Sequence, residues 1–294
     1  MTNPQWFLLL SGGAWKGAVQ LPLIDHLLAQ MGLPDEIRGT SVGSINGAVT
    51  ACGRHKELWK LWGAIDDPHP MNGIKDFLKV TPFDKDGFWT MEPLRDLLKR
   101  YTITPAGLKT RFGCGIWLPE NDEHVVPTWT AAGPDGHDIT LADGILASSA
   151  ICGMFAGVKV RWKDKLHIGG DGGHEHVLPP SPSSVKAGDI IDAVFCHPVE
   201  PGIISRPRRS VDGRIERLLL AADKATHAPA RGDLETLKAL AASGVKVRAW
   251  APREDVGGML DAGKEDITRR FEIGERMVRS GPVWTNMQSI AERS

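Results

Sequence analysis

Cysteine is sparse in this sequence, and its spacing fits neither a metal site nor a disulfide framework. The 294-residue chain has four cysteines, and none of them belongs to a C-x-x-C pair; they are Cys52, Cys114, Cys152 and Cys196. This pattern argues against a zinc knuckle and suits a reducing compartment. We therefore expect a cytoplasmic protein that depends on its hydrophobic core for stability.

Long apolar runs and a basic leader are missing as well. The first apolar run extends only from Trp6 to Leu10, and no basic segment precedes it, so no secretory signal is predicted. No segment approaches the ~20 apolar residues that a membrane-spanning helix needs. Any contact with a membrane is therefore expected to be peripheral.

Neither sign of charge is in marked excess. A formal net charge of -1 produces no overall field that would attract nucleic acid, and no nucleic-acid-binding motif is present. The 41% of hydrophobic and 24% of charged residues are typical of a soluble globular protein. The length favours a single domain over residues 1–294, in which residues 201–294 are the least constrained by motifs.

The pattern at the start of the chain predicts alternating strands and helices. Strands are expected at Trp6–Leu10 and Glu36–Thr40, a small-residue helix follows over 43–51, and a helical stripe between the strands ends before Gly32. This order indicates an α/β fold with three α/β/α layers and a mainly parallel central sheet. Later elements are less regular: helices over 55–62, 91–101 and 139–149, strands over 114–118, 125–131, 192–197 and 245–250, a hairpin over 158–168 with its turn at Lys163-Asp164, and a loop over 68–82.

Ser41 lies in a G-x-S-x-G sequence between a predicted strand and a predicted helix. A nucleophile on such a sharp turn has a strained backbone, and its neighbours two residues away must be small. The N-terminus of the following helix also favours developing negative charge. The pentapeptide alone is common by chance, so its strand–turn–helix setting is what favours a nucleophile.

Two further glycine-rich segments are ambiguous on their own. The loop over residues 11–17 (SGGAWKG) lacks P-loop and dinucleotide-binding spacing, so it could cradle a phosphate, form an oxyanion hole or be a structural turn. Asp171 stands among four glycines after a predicted strand, where composition alone favours a surface turn.

The three segments together resemble the patatin-like phospholipase family, over roughly Phe7 to Val199. The family's G-G-[GA]-x-[KR]-G loop is matched by residues 12–17, its G-x-S-x-G elbow by residues 39–43, its A-S-x-A-x-P-x-x-F segment by residues 147–155, and its D-G-G motif by residues 171–173. Cys152 replaces the family's proline in the third motif. An asparagine that commonly follows D-G-G is absent, and we expect His176 to supply its supporting hydrogen bonds.

The resemblance implies a lipid acyl hydrolase of phospholipase A type that cleaves carboxylic esters through a Ser41–Asp171 dyad. It implies an oxyanion hole at Gly12, Gly13 and Ala14, and no cofactor. Its supporting motif residues are Lys16, Gly17, Gly39, Gly43, Gly172 and Gly173. It also implies an acyl-lipid or acyl-ester substrate and peripheral contact with a membrane. It does not indicate whether a protein activator is needed.

Other functions remain open at this point. The same dyad would serve an esterase or thioesterase on soluble substrates, or an effector that needs an activator. His167, His174 and His176 near Asp171 invite a metal site, but histidines beside a catalytic loop more often serve as hydrogen-bonding or surface groups, so no metal is predicted.

Overall fold

The structure, a computed structural model, describes residues 3–63, 91–153, 155–203, 205–206, 214–259, 261 and 263–287. The loop predicted over 68–82 lies outside these residues.

A parallel sheet forms the centre of the described chain. Its five parallel strands run in the order β10-β9-β1-β2-β3. Short antiparallel strands extend the sheet on both sides, and β8 also pairs with β3 and with β7. The strand bounds are β1 Trp6–Leu10, β2 Glu36–Thr40, β3 Arg111–Leu118, β4 Glu123–Val125, β5 Thr128–Thr130, β6 Gly133–Pro134, β7 Val158–Trp162, β8 Lys165–Asp171, β9 Ile190–Val194, β10 Lys246–Trp250 and β11 Trp284–Thr285.

Helices cover both faces of this sheet. Their bounds are α1 Gln20–Met31, α2 Val42–Ala51, α3 His55–Gly63, α4 Glu92–Arg100, α5 Leu141–Ser149, α6 Arg214–Ala225, α7 His227–Ala241 and α8 Lys264–Ser280. Short 3-10 helices occur at Ala14–Val19, Pro105–Gly107 and Gly172–His174. None of the helices in the described ranges is both long and apolar enough to span a bilayer.

The fully buried strand β1 shows how the two helical layers arise. Side chains alternate across a strand, so Leu8 and Leu10 pack into the core that contains residues of α1, α2 and α8. Phe7 and Leu9 pack into a second core with residues of α7. The predicted three-layer fold with a mainly parallel sheet is therefore confirmed.

Most predicted elements are found within a few residues of their expected bounds, but the strand predicted over 125–131 is wrong. It is divided into β4 and β5 by Val126 and Pro127. Proline has no amide hydrogen for the ladder. The two pieces pair with different parts of β3, namely Ile116–Leu118 and Phe112–Gly113.

The C-terminal part of the chain contributes to the same sheet. Strand β9 pairs with β1 on one side and with β10 on the other. Residues beyond 201 therefore provide β10, a parallel strand of the same sheet that lies beside β9. A single domain over 1–294 stays a prediction.

Candidate active site

Ser41 occupies a strained turn between β2 and α2. Its backbone has φ 54° and ψ -125°, a combination that residues other than glycine rarely adopt. A Cβ on Gly39 would lie 2.1 Å from the Gly43 carbonyl oxygen, and one on Gly43 would lie 2.3 Å from the Leu10 carbonyl oxygen. Gly39 is thus required by close contact within the elbow, and Gly43 by the packing of the elbow against β1.

Asp171 ends β8 beside this elbow. Its side chain is buried, with 7% of its surface exposed, and the Ser41 hydroxyl is near enough to lower the pKa of its carboxyl group. The Gly173 amide donates a 2.8 Å hydrogen bond to Asp171 Oδ1. Burial raises the pKa of Asp171 from 3.8 to about 6, although the hydrogen bonds from Ser41 and Gly173 oppose the rise. The structure therefore brings together the two residues of the predicted dyad.

The C-terminal end of α5 and the residue after it connect Ser41 to Asp171. The Ser41 amide donates to Ser148 Oγ at 2.9 Å, and the Asp171 amide donates to the Ala150 carbonyl at 2.8 Å. A buried amide without an acceptor is costly, so these bonds fix both backbones. The third sequence motif thus has a positioning role that the sequence alone does not reveal.

The glycine-rich loop lies directly against the nucleophile. A Cβ on Gly12 would be 3.1 Å from Ser41 Cβ. The Gly12 amide already donates to the Val177 carbonyl at 2.7 Å, whereas the amides of Gly13 and Ala14 have no acceptor among the residues that the structure describes. The backbone amides of Gly13 and Ala14 are therefore available to donate hydrogen bonds to a ligand.

Lys16 anchors that loop from behind by a buried ion pair. Its side chain is fully buried, and Nζ lies 2.5 Å from Asp223 Oδ1 on α6. Burial alone would raise the pKa of Asp223, but contacts with His197 and Lys16 hold it at about 2. Asp223 is thus ionised at neutral pH and serves as the counterion of Lys16.

Backbone contacts from the C-terminal region complete this anchor. The Trp15 amide donates to the Met259 carbonyl at 3.1 Å, and the Met259 amide donates to Asp223 Oδ2 at 3.3 Å. Arg270 on α8 donates to the carbonyls of Val256 and Gly258 at 3.1 and 2.8 Å. Its guanidinium therefore fixes the segment that carries Met259.

The sequence identifies Lys16 as a motif residue, but it does not identify Asp223, Met259 or Arg270 as its anchors. Lys16 and Asp223 are 207 positions apart, so no local pattern connects them. One general rule could have indicated that Lys16 has an acidic partner. A lysine in a tight apolar loop is buried, and burying its charge without a carboxylate partner is costly.

The three histidines that suggested a metal site have separate partners. His167 Nδ1 lies 3.1 Å from Glu120, the His174 ring lies 4.2 Å from that of Trp117, and His176 Nδ1 lies 2.7 Å from Asp233. The His176 ring bonds with Asp233, and its backbone amide donates to the Gly172 carbonyl at 3.1 Å, so its expected role in place of the missing asparagine stays a prediction. Within the described ranges, no group of three or more His, Cys, Asp or Glu could hold a metal ion.

Comparisons with known proteins found one matching family and several similar solved structures. The model of the family described as "Patatin-like phospholipase" matches residues 8–185. Among solved structures, the chain is similar to VipD from Legionella pneumophila (12% identity, TM-score 0.43, 95% of this chain and 67% of VipD). It is also similar to the type III effector protein ExoU (13% identity, TM-score 0.44, 95% of this chain and 52% of ExoU).

No curated protein sequence matches the chain. The family match covers more than half of the chain and includes both Ser41 and Asp171. The chain belongs to the patatin-like phospholipase family.

Proposed function

We propose that this protein is a lipid acyl hydrolase of phospholipase A type, with Ser41 as nucleophile and Asp171 as base. The observation that carries the proposal is a hydroxyl on a strained elbow within reach of a buried carboxyl group. Ser41 Oγ attacks the ester carbonyl while Asp171 takes its proton. Asp171 then returns that proton to the departing alcohol, which leaves an acyl-enzyme.

Water completes the cycle on the same two residues. It attacks the acyl carbon while Asp171 takes one of its protons, and that proton returns to Ser41 Oγ as the carboxylic acid leaves. An ordinary aspartate is a weak base, but burial raises the pKa of Asp171 to about 6. Its basicity is thus better matched to neutral pH, at which it is still ionised.

The free amides of Gly13 and Ala14 are the proposed oxyanion donors. The Gly12 amide is occupied by Val177, so we assign to Gly12 the role of fitting closely against Ser41. One such donor contributes about 3 kcal/mol to transition-state stabilisation.

A chromogenic acyl ester series tests the proposal. We expect hydrolysis by the wild type and its loss in Ser41→Ala and Asp171→Asn. Matched controls are Ser243→Ala and Asp138→Asn, which change an exposed serine and an exposed aspartate on other elements and should retain activity.

The physical state of the substrate separates the candidate activities. Faster turnover on micelles than on monomers supports a lipid substrate, whereas equal turnover supports a soluble esterase. Full activity in Ser41→Ala or Asp171→Asn would contradict the dyad. A folded but inactive wild type would contradict constitutive hydrolysis and direct attention to an activator.

A further inference from the structure

The hairpin formed by β7 and β8 leads directly into Asp171, and its two faces differ sharply. On the inner face, Val158, Val160 and His167 are buried, and both strands contact α5. A Cβ on Gly169 would lie 3.0 Å from Ala147 Cβ, so the inner face packs tightly. The outer face has no such cover from the described residues.

We define the hairpin face as Lys159, Arg161, Leu166 and Ile168. Each cross-strand pair on this face places a cationic residue opposite an aliphatic one. Lys159 lies opposite Ile168, and Arg161 lies opposite Leu166. Leu166 is 59% exposed and Ile168 38% exposed. The one other exposed large hydrophobic side chain in the described ranges is Leu33. Exposed aliphatic side chains are therefore concentrated beside the proposed active site.

Lys159 and Arg161 carry the positive charge of this face. Within the described ranges, no carboxylate lies at ion-pair distance from Lys159 or Arg161. Lys163 at the turn, in contrast, pairs with Glu123 at 2.9 Å. The hairpin face thus combines unpaired positive charge with exposed aliphatic surface.

We infer that the hairpin face docks on a bilayer that contains anionic phospholipids. Leu166 and Ile168 would enter the boundary between headgroups and acyl chains, while Lys159 and Arg161 would contact lipid phosphates. A protein partner is less suited, because cationic charge alternates with aliphatic groups over a narrow two-stranded ribbon. The choice of lipid rests on the proposed function, but the binding itself does not require turnover.

This docking would bring the dyad close to the substrate. Ile168 precedes Asp171 by three residues on one strand, which corresponds to ~10 Å at ~3.3 Å per residue. Because side chains alternate along a strand, that of Asp171 lies on the inner face and that of Ile168 on the hairpin face, so the dyad would lie close to the bilayer but behind the hairpin.

Vesicle sedimentation in a Ser41→Ala background tests the inference without product formation. We expect binding to vesicles of phosphatidylcholine mixed with phosphatidylserine, weaker binding to phosphatidylcholine alone, and a decrease with added salt. Each cation contributes roughly fivefold to such binding, so Lys159→Gln with Arg161→Gln should weaken it roughly thirtyfold. Leu166→Ser should weaken binding to both kinds of vesicle.

Matched controls use the same substitutions elsewhere. Lys56→Gln with Lys60→Gln changes two exposed lysines of α3, and Leu33→Ser changes the third exposed aliphatic side chain. These variants should bind as the parent does, and thermal unfolding should show that all variants are folded.

Specific outcomes would overturn the inference. One is vesicle binding that the hairpin variants leave unchanged, and another is equal affinity for neutral and anionic vesicles. A third is the absence of vesicle binding by the parent, which would redirect the search to a protein partner. Vesicle binding without ester hydrolysis by the wild type would support the docking face and overturn the proposed function instead.

Discussion

Replacing Asp171 by asparagine should stabilise the folded protein while it abolishes turnover. The wild-type carboxyl group is ionised at neutral pH in a buried position, and asparagine has a similar shape but carries no charge. Its amide oxygen can still accept the hydrogen bond from the Gly173 amide. The variant therefore removes the cost of a buried charge with little change in packing.

The size and pH range of this effect follow from the raised pKa. Below pH 3.8 the carboxyl group is protonated in the folded and in the unfolded state, so it does not change the free energy of unfolding. Between pH 3.8 and about 6 it ionises mainly in the unfolded state. Stability is lost across this range, because the unfolded state binds fewer protons. Above about 6 the loss is complete, and the rise in pKa corresponds to about 3 kcal/mol.

Urea unfolding of both proteins at several pH values measures this difference. Relative to the wild type, Asp171→Asn should gain about 3 kcal/mol more unfolding free energy at pH ~8 than at pH ~4. Asp138→Asn, at an exposed site, should show no comparable gain. A difference that does not change with pH, or a variant less stable than the wild type at pH ~8, would refute the reasoning.

Three further predictions concern the base, the buried ion pair and the elbow. Because ionised Asp171 is the proposed base, kcat/KM should rise with pH through about 6 as a single ionisation; a profile flat across this range would contradict its proposed role. Asp223→Asn leaves Lys16 without a buried counterion, so chemical denaturation should show a loss of about 3–5 kcal/mol, and an unchanged midpoint would contradict the anchor. Ser148→Ala removes the acceptor of the Ser41 amide, so stability should fall by about 1–3 kcal/mol in thermal unfolding together with kcat; unaltered values of both would show that the hydrogen bond is dispensable.

Elements with a strong local pattern could be predicted closely from the sequence. The apolar run of β1 and the strand before Ser41 have their expected bounds, and the hairpin turns at Lys163-Asp164 as expected. Apolar runs, glycines and turn residues act over a few positions, so they can be read without knowledge of distant contacts. The glycine spacing around Ser41 likewise follows from local crowding.

Features that depend on distant contacts could not be predicted. The division of β4 from β5 depends on which part of β3 each piece meets. Asp223 meets Lys16 only because α6 and the glycine-rich loop come together in the folded chain. Similarly, the partner of His176 is set by the position of Asp233 on α7 rather than by its nearness to Asp171 in sequence.

The ion pair between Lys16 and Asp223 has a consequence for how the protein is made. A nascent chain that has emerged through residue 185 contains Ser41, Asp171 and the whole family match. It lacks β9, the neighbour of β1, and the carboxylate that Lys16 requires. The site around Ser41 is therefore expected to form only after α6 has left the ribosome, so that an incomplete polypeptide lacks the anchored loop beside Ser41.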